Sequence, residues 1–186
     1  MAKLIYGTNA SIDGFIEDAN GRFDWTEPSD EVHSFINDVY RDVGTHLYGR
    51  RLYETMAVWE TDPSLAETSD IYSDWAAIWK GADKVVYSTT LKEPLTTRTR
   101  VEKSFDPDAV RAMKESAERD LLIGGAELAS HAWRAGLIDE LDLFTIPVLV
   151  GAGKRALPDA IRVDLDLIEQ RRFDTGTVFL RYAVKR

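Results

Sequence analysis

"LLIGGAEL", residues 121–128, carries an apolar run into two adjacent glycines, and a helical pattern resumes at once with Ala126, Glu127 and Leu128. A strand that hands over to a helix in so few residues is a βα junction, and ligands of open α/β sheets sit outside the carboxyl ends of the strands. Backbone N–H groups are bare there, and the helix dipole adds partial positive charge. Glycine also lets a phosphate come within hydrogen-bond distance with no Cβ in the way. Taken alone, Gly124 and Gly125 read slightly better as a tight turn that holds nothing. They do not form a G-x-G-x-x-G fingerprint, so the standard dinucleotide motif is absent.

Two further junctions have the same character. "LYGRRLYET" (47–55) places Gly49, Arg50 and Arg51 between a short strand and a helix start. Arginines at a helix N-terminus oppose the dipole unless an anion offsets them; otherwise they form a solvated face. "VVYSTTL" (85–91) ends a strand in Ser88, Thr89 and Thr90, whose hydroxyls suit phosphate or ribose or simply cap a turn. Three such junctions in one chain tilt the balance toward a ligand at the strand ends.

Around these points strands and helices alternate. Residues 3–9 read as a first strand, with Asp13-Gly14 marking a turn. The polar stretch 17–28 reads as a loop, and Ser29 as the N-cap of a helix over about 30–41, in which Val32, Phe35, Ile36 and Val39 recur at helical spacing. "RRLYETMAVW" opens a second helix and residues 70–80 a third. "DKVVYST" and "TRVEK" are strands, Asp106-Pro107 starts a helix, and residues 126–135 form a helix closed by Gly136. "IDELDLFTIPVLVG" is a long strand broken near Pro147. The tail folds back across Thr175-Gly176-Thr177 as an antiparallel hairpin or a longer strand return. This order predicts an α/β fold of three αβα layers, a mixed, mainly parallel sheet with antiparallel C-terminal strands, in one domain spanning 1–186.

Composition excludes several classes of function. The net charge of −9 argues against nucleic acid or an acidic membrane as partner. The chain has no cysteine, which removes disulfides, thiolate catalysis, iron–sulfur clusters and cysteine-ligated zinc. The opening "MAKLIYGTNA" lacks a secretory core, and "LFTIPVLVGAG" is too short to span a bilayer, so a soluble cytoplasmic protein is expected. His33, His46 and His131 show no metal-ligand spacing, and no metal site is expected. "GAGK" (151–154) is not a phosphate-binding loop, since no Ser or Thr follows Lys154. Ser116 and Ser130 lack a nucleophile-elbow context. Trp59, Trp75, Trp79 and Trp133 read as core or interface aromatics.

The order of "LYGRRLYE", "VVYSTT" and "DLLIGGAEL" resembles the dihydrofolate-reductase-like fold, and most closely the branch that includes the reductase domain of bacterial riboflavin biosynthesis. "GLIDELDLFTIPVLVGAGKRAL" (136–157) is similar to that branch, and "NASIDGFI" (9–16) resembles its first strand and the loop over the nicotinamide. The resemblance covers essentially the whole chain. It implies an NADPH-dependent reductase that transfers hydride to a small heteroaromatic, pterin- or pyrimidine-like substrate, and a homodimer joined through the strand-rich C-terminal region. On the same resemblance Gly49, Arg50 and Arg51 hold the phosphates, and Ser88 and Thr89 meet the adenosine ribose or its 2′-phosphate. Gly124, Gly125, Ala126 and Glu127 cradle the pyrophosphate, while Ala10 and Ile16 flank the nicotinamide.

On the substrate side, "WTEPSDEVHSF" (25–35) resembles the folate reductases' segment in which a Trp and a Pro precede a carboxylate that opens a helix. That implies Asp30 as the substrate-binding and proton-delivering acid, with Asp13 and Trp25 beside it. Read without the resemblance, Asp30 and Glu31 are first-turn acids favoured by the helix dipole, and Asp13 shapes a turn. Glu31 departs from the apolar residue usual at that position in folate reductases. The alternative is a non-catalytic nucleotide-binding dimeric module of the same fold.

Overall fold

The computed structural model describes residues 1–185. In chain order the elements are β1 (Leu4–Ser11), β2 (Phe15–Asp18), a 3₁₀ turn (Asp24–Thr26), α1 (Asp30–Tyr40), β3 (Thr45–Gly49), α2 (Arg50–Met56), α3 (Val58–Thr61), α4 (Pro63–Ala66), α5 (Asp70–Gly81), β4 (Asp83–Tyr87), β5 (Thr99–Glu102), α6 (Pro107–Ser116), β6 (Leu121–Gly124), α7 (Ala126–Arg134), β7 (Glu140–Ile146), β8 (Gly153–Arg155), β9 (Leu165–Arg172) and β10 (Val178–Val184). Eight strands form one sheet in the order β5-β4-β3-β6-β1-β7-β10-β9. The first six run parallel, and β10 and β9 are antiparallel additions at one edge. This is the α/β architecture expected.

The sheet's alternation sorts the core into two layers. Leu4, Tyr6, Leu47, Val85, Leu121 and Ile123 point to one face and pack with Val110 of α6 and Leu128, Ala129 and Ala132 of α7. Ile5, Tyr48, Val86 and Leu122, one residue out of phase, point to the other face and meet Tyr40, Tyr53, Trp75 and Trp79 from α1, α2 and α5. Each large side chain so buried contributes about 1.5–3 kcal/mol. A smaller cluster joins α1 to the antiparallel edge through Val32, Phe144, Phe173 and Phe179. There Arg181 of β10 donates two hydrogen bonds of 2.7 Å to the buried Asp142 of β7. Helix starts follow local rules: Ser29 accepts from the Val32 N–H, Ser69 from the Tyr72 N–H, and Asp106 with Pro107 opens α6.

One local expectation needs correction. Residues 17–28 are not all loop, because β2 reaches Asp18 and a 3₁₀ turn occupies Asp24–Thr26. β2 pairs antiparallel with β8 in a separate two-stranded ribbon. Gly153 admits that pairing: a Cβ there would lie 1.9 Å from the Glu17 carbonyl oxygen, so the glycine of "GAGK" answers a backbone approach. The break expected near Pro147 is present: β7 ends at Ile146, where Pro147 offers no N–H to continue the ladder.

A polar chain runs inside the second layer. Trp79 Nε1 donates to the Tyr48 hydroxyl at 3.2 Å, and that hydroxyl lies 3.0 Å from His46 Nδ1. His46 is fully buried, and burial, helped by nearby Lys84, pulls its pKa from 6.5 to about 3. The folded protein therefore refuses a proton that the unfolded chain accepts below about pH 6.5. Stability from this group is complete above that value and is lost as pH falls toward the folded pKa. Urea denaturation will show the wild type losing ~2 kcal/mol more than His46→Asn between pH 7 and pH 5.

Candidate functional site

The carboxyl ends of the parallel strands open into one cleft of about 940 Å³. β1 contributes Gly7, Thr8 and Asn9 to it; the β3–α2 junction Tyr48, Gly49, Arg50, Arg51 and Leu52; the β4 end Tyr87, Ser88, Thr89 and Thr90. Lys103, Ser104 and Phe105 follow β5, and Gly124, Gly125, Ala126, Glu127 and Leu128 come from the β6–α7 junction. The three junctions singled out in the sequence thus share one wall.

Local geometry explains that wall. Gly125 caps α7 with φ +88 and no side-chain cap bond, a backbone angle that side chains disfavour, so the first N–H groups of α7 stay bare. Gly124 answers a packing demand: a Cβ there would sit 2.6 Å from Leu52 Cδ2 and 3.3 Å from the Tyr48 ring. Gly49 differs, with an ordinary φ of −75 and nothing within 4 Å of a Cβ built on it. Packing does not demand a glycine at that position.

Charge on the wall is concentrated and partly tethered. Arg50 donates to Glu54 and to the Thr90 hydroxyl, each at 2.7 Å. Glu17 lies between Arg51 at 3.6 Å and Lys154 at 3.1 Å. Ser88 Oγ accepts from the Thr90 and Leu91 N–H groups and lies 3.4 Å from the Thr90 hydroxyl. Arg50, Arg51, Lys103 and Lys154 give the cleft four cationic side chains on a chain of net charge −9. Ile16, from β2, also lines it.

Four expected site residues lie elsewhere. Ala10 is buried in β1 opposite Thr145, and Thr8 and Asn9 reach the cleft in its place. Asp13 ties two loops together, accepting from the Ser11 hydroxyl at 2.6 Å, the Val150 N–H at 3.1 Å and the Gly151 N–H at 2.6 Å. These bonds, Ser11's first, hold its carboxyl down at about 2, and it is not on the cleft wall. Trp25 is half-buried and also off the wall, although Phe23, Thr26, Glu27 and Pro28 around it are on it. Asp30 is exposed at the first position of α1 and does not line the cleft; the dipole-favoured first-turn reading accounts for it.

Instead, the next turns of α1 reach the cleft through His33, Ile36 and Tyr40, which meet Trp59 of α3 and Tyr72 and Trp75 of α5. The sequence had cast the tryptophans as core aromatics. The i, i+3 step from Asp30 to His33 was the available signal, but α3 and α5 join this wall only through tertiary packing. Among the described residues no group of three or more His, Asp or Glu is placed to hold a metal ion, and no helix is long and apolar enough to cross a membrane.

Known proteins share this frame. The family model of the RibD C-terminal domain matches residues 2–179. YyaP, an uncharacterized protein of Bacillus subtilis (strain 168), is 28% identical over 184 residues, covering 97% of this chain and 94% of its own. The crystal structure of a candidate riboflavin biosynthesis protein from Shewanella sp. PV-4 superposes with a TM-score of 0.77 at 21% identity over 100% of both chains. A pyrimidine reductase-like protein from Corynebacterium diphtheriae superposes with a TM-score of 0.67 at 12% identity, over 100% of this chain and 92% of its own. With the family model matching nearly the whole length, this chain belongs to the RibD C-terminal domain family.

Proposed function

We propose that the chain is an NADPH-dependent reductase that transfers hydride to a small heteroaromatic substrate of pterin or pyrimidine type. One observation carries this reading: the three strand-end junctions, at Gly49–Arg51, Ser88–Thr90 and Gly124–Glu127, line a single cleft. The residues fit a phosphorylated nucleotide. The uncapped start of α7 offers bare N–H groups to a pyrophosphate, and the open space above Gly49 leaves room beside Arg50 and Arg51. Ser88 and Thr89 present hydroxyls for ribose or a 2′-phosphate. Ile16, on the β2–β8 ribbon, supplies an apolar edge for the nicotinamide. NADPH, when bound, supplies the hydride; the chain's own residues position it and keep water from the ring. The RibD C-terminal family and the pyrimidine reductase-like relative support a ring substrate of this kind. Such an enzyme works where NADPH is available, in the cytoplasm.

A ligand that binds only the folded state raises its melting temperature. NADPH will do so here, and it will be oxidised when a pterin or pyrimidine acceptor is added. No shift with millimolar NADPH or NADH refutes the cofactor assignment; a shift without turnover on any acceptor points to the non-catalytic module. Gly49→Val places a side chain in open space with no backbone strain. It will leave the melting temperature of the free protein unchanged while weakening NADPH about tenfold or more, ~1.4 kcal/mol.

The same reading includes a homodimer. β9 forms the sheet's outer edge and is exposed along nearly its whole length, with Leu167 53% and Ile168 52% exposed. An unpaired edge carrying apolar side chains invites pairing. Light scattering on the eluting protein will give twice the chain mass, and Ile168→Lys will shift it toward one.

A further inference from the structure

His33 lies in the second turn of α1, its backbone N–H held by the Ser29 carbonyl at 2.8 Å. The residue is only 5% exposed, yet it lines the cleft. Its ring is set among three others, with centroids 5.7 Å from Trp59, 4.9 Å from Tyr72 and 6.2 Å from Trp75. All three also line the cleft. Within this aromatic corner Nδ1 of His33 is buried and has no hydrogen-bond partner. An unpaired buried polar atom is costly, and a ligand entering the cleft is what could satisfy it.

The chemistry of the corner limits the ligand. Met56 and Leu65 add apolar surface beside the rings. The cleft's cations stand on other segments: Arg50 and Arg51 at the start of α2, Lys103 after β5, and Lys154 in β8. Burial lowers the pKa of His33, and Asp30 one turn earlier only partly opposes it. The imidazole is therefore neutral at neutral pH and offers one donor and one acceptor. The cleft-lining residues of α1, α3 and α5 include no Lys or Arg, so a carboxylate or phosphate brought against these rings would lose hydration that those helices do not replace with a cation.

We propose that this corner recognises an uncharged planar aromatic ring with a polar edge, packed among Trp59, Tyr72 and Trp75 and hydrogen-bonded to His33, and that it rejects rings bearing an acidic group there. The proposal deepens the reductase reading by naming the class of ring the substrate presents, and it rests on that reading for the corner's place beside the nucleotide wall.

Three bicyclic probes of similar size test it. 2-Quinolinone is uncharged and has adjacent N–H and C=O groups, quinaldate carries a carboxylate, and naphthalene has no polar edge. Because Trp59 and Trp75 are on the wall, binding is read by quenching of tryptophan fluorescence, with and without NADPH. 2-Quinolinone will bind at least tenfold more tightly than quinaldate. His33→Phe, which keeps a ring and removes the unpaired nitrogen, will weaken 2-quinolinone three- to tenfold, leave naphthalene unchanged and not lower the melting temperature. His33→Asn, with a polar atom near the position of Nδ1, will recover much of the loss. Failure of 2-quinolinone to bind, equal or tighter binding of quinaldate, or an unchanged 2-quinolinone affinity in His33→Phe overturns the proposal. The wild-type comparison of the two bicycles needs no mutant and decides the charge claim alone. NADPH binding is read separately by the melting shift, so loss of the cofactor assignment and loss of this inference give different results.

Discussion

Leu52 occupies the space that a side chain on residue 124 would fill, 2.6 Å from a Cβ built there. That contact locks α2 against the end of β6, and much of the cleft depends on it. Leu52 belongs to the helix that opens with Arg50 and Arg51, while Gly124 leads into the uncapped start of α7. Two junctions 75 positions apart in sequence are thereby held edge to edge. Any larger residue at 124 would have to push α2 outward, and with it the arginines. The doublet of glycines divides two tasks: Gly124 permits the close packing, and Gly125, at φ +88, permits the turn. Both tasks are structural and are met without a ligand.

How much was legible follows from the range of the interactions involved. The three junctions were readable because turn glycines, strand-end hydroxyls and β-branched runs write themselves locally into the sequence. The two-layer core was readable for the same reason, since Leu4, Tyr6 and Ile5 alternate along one short strand. The β2–β8 ribbon was not, because its two strands have four and three residues and lie far apart in the chain. Asp13 likewise looked like a turn acid or a site acid, and its role as a clamp on Val150 and Gly151 is visible only once those loops meet. Asp30 shows the limit of resemblance. It occupies the motif position, yet side chains three residues apart along α1 differ in whether they reach the cleft, and His33 reaches it.

The cleft joins two environments that the composition averages away. On the strand-end wall, cations and hydroxyls gather on a chain whose overall charge is strongly negative, and that net charge disfavours anions away from local cationic clusters. At the α1–α3–α5 corner the lining is aromatic and its one imidazole is neutral. An anionic nucleotide therefore has a reason to lie along the strand ends and none to turn into the corner, while an uncharged ring has the opposite preference. On the proposed function, sorting two ligands by charge in one continuous cleft would orient them without a dedicated clamp for each. On the same proposal, a ring acceptor that enters neutral requires shape and one hydrogen bond more than it requires a counter-charge.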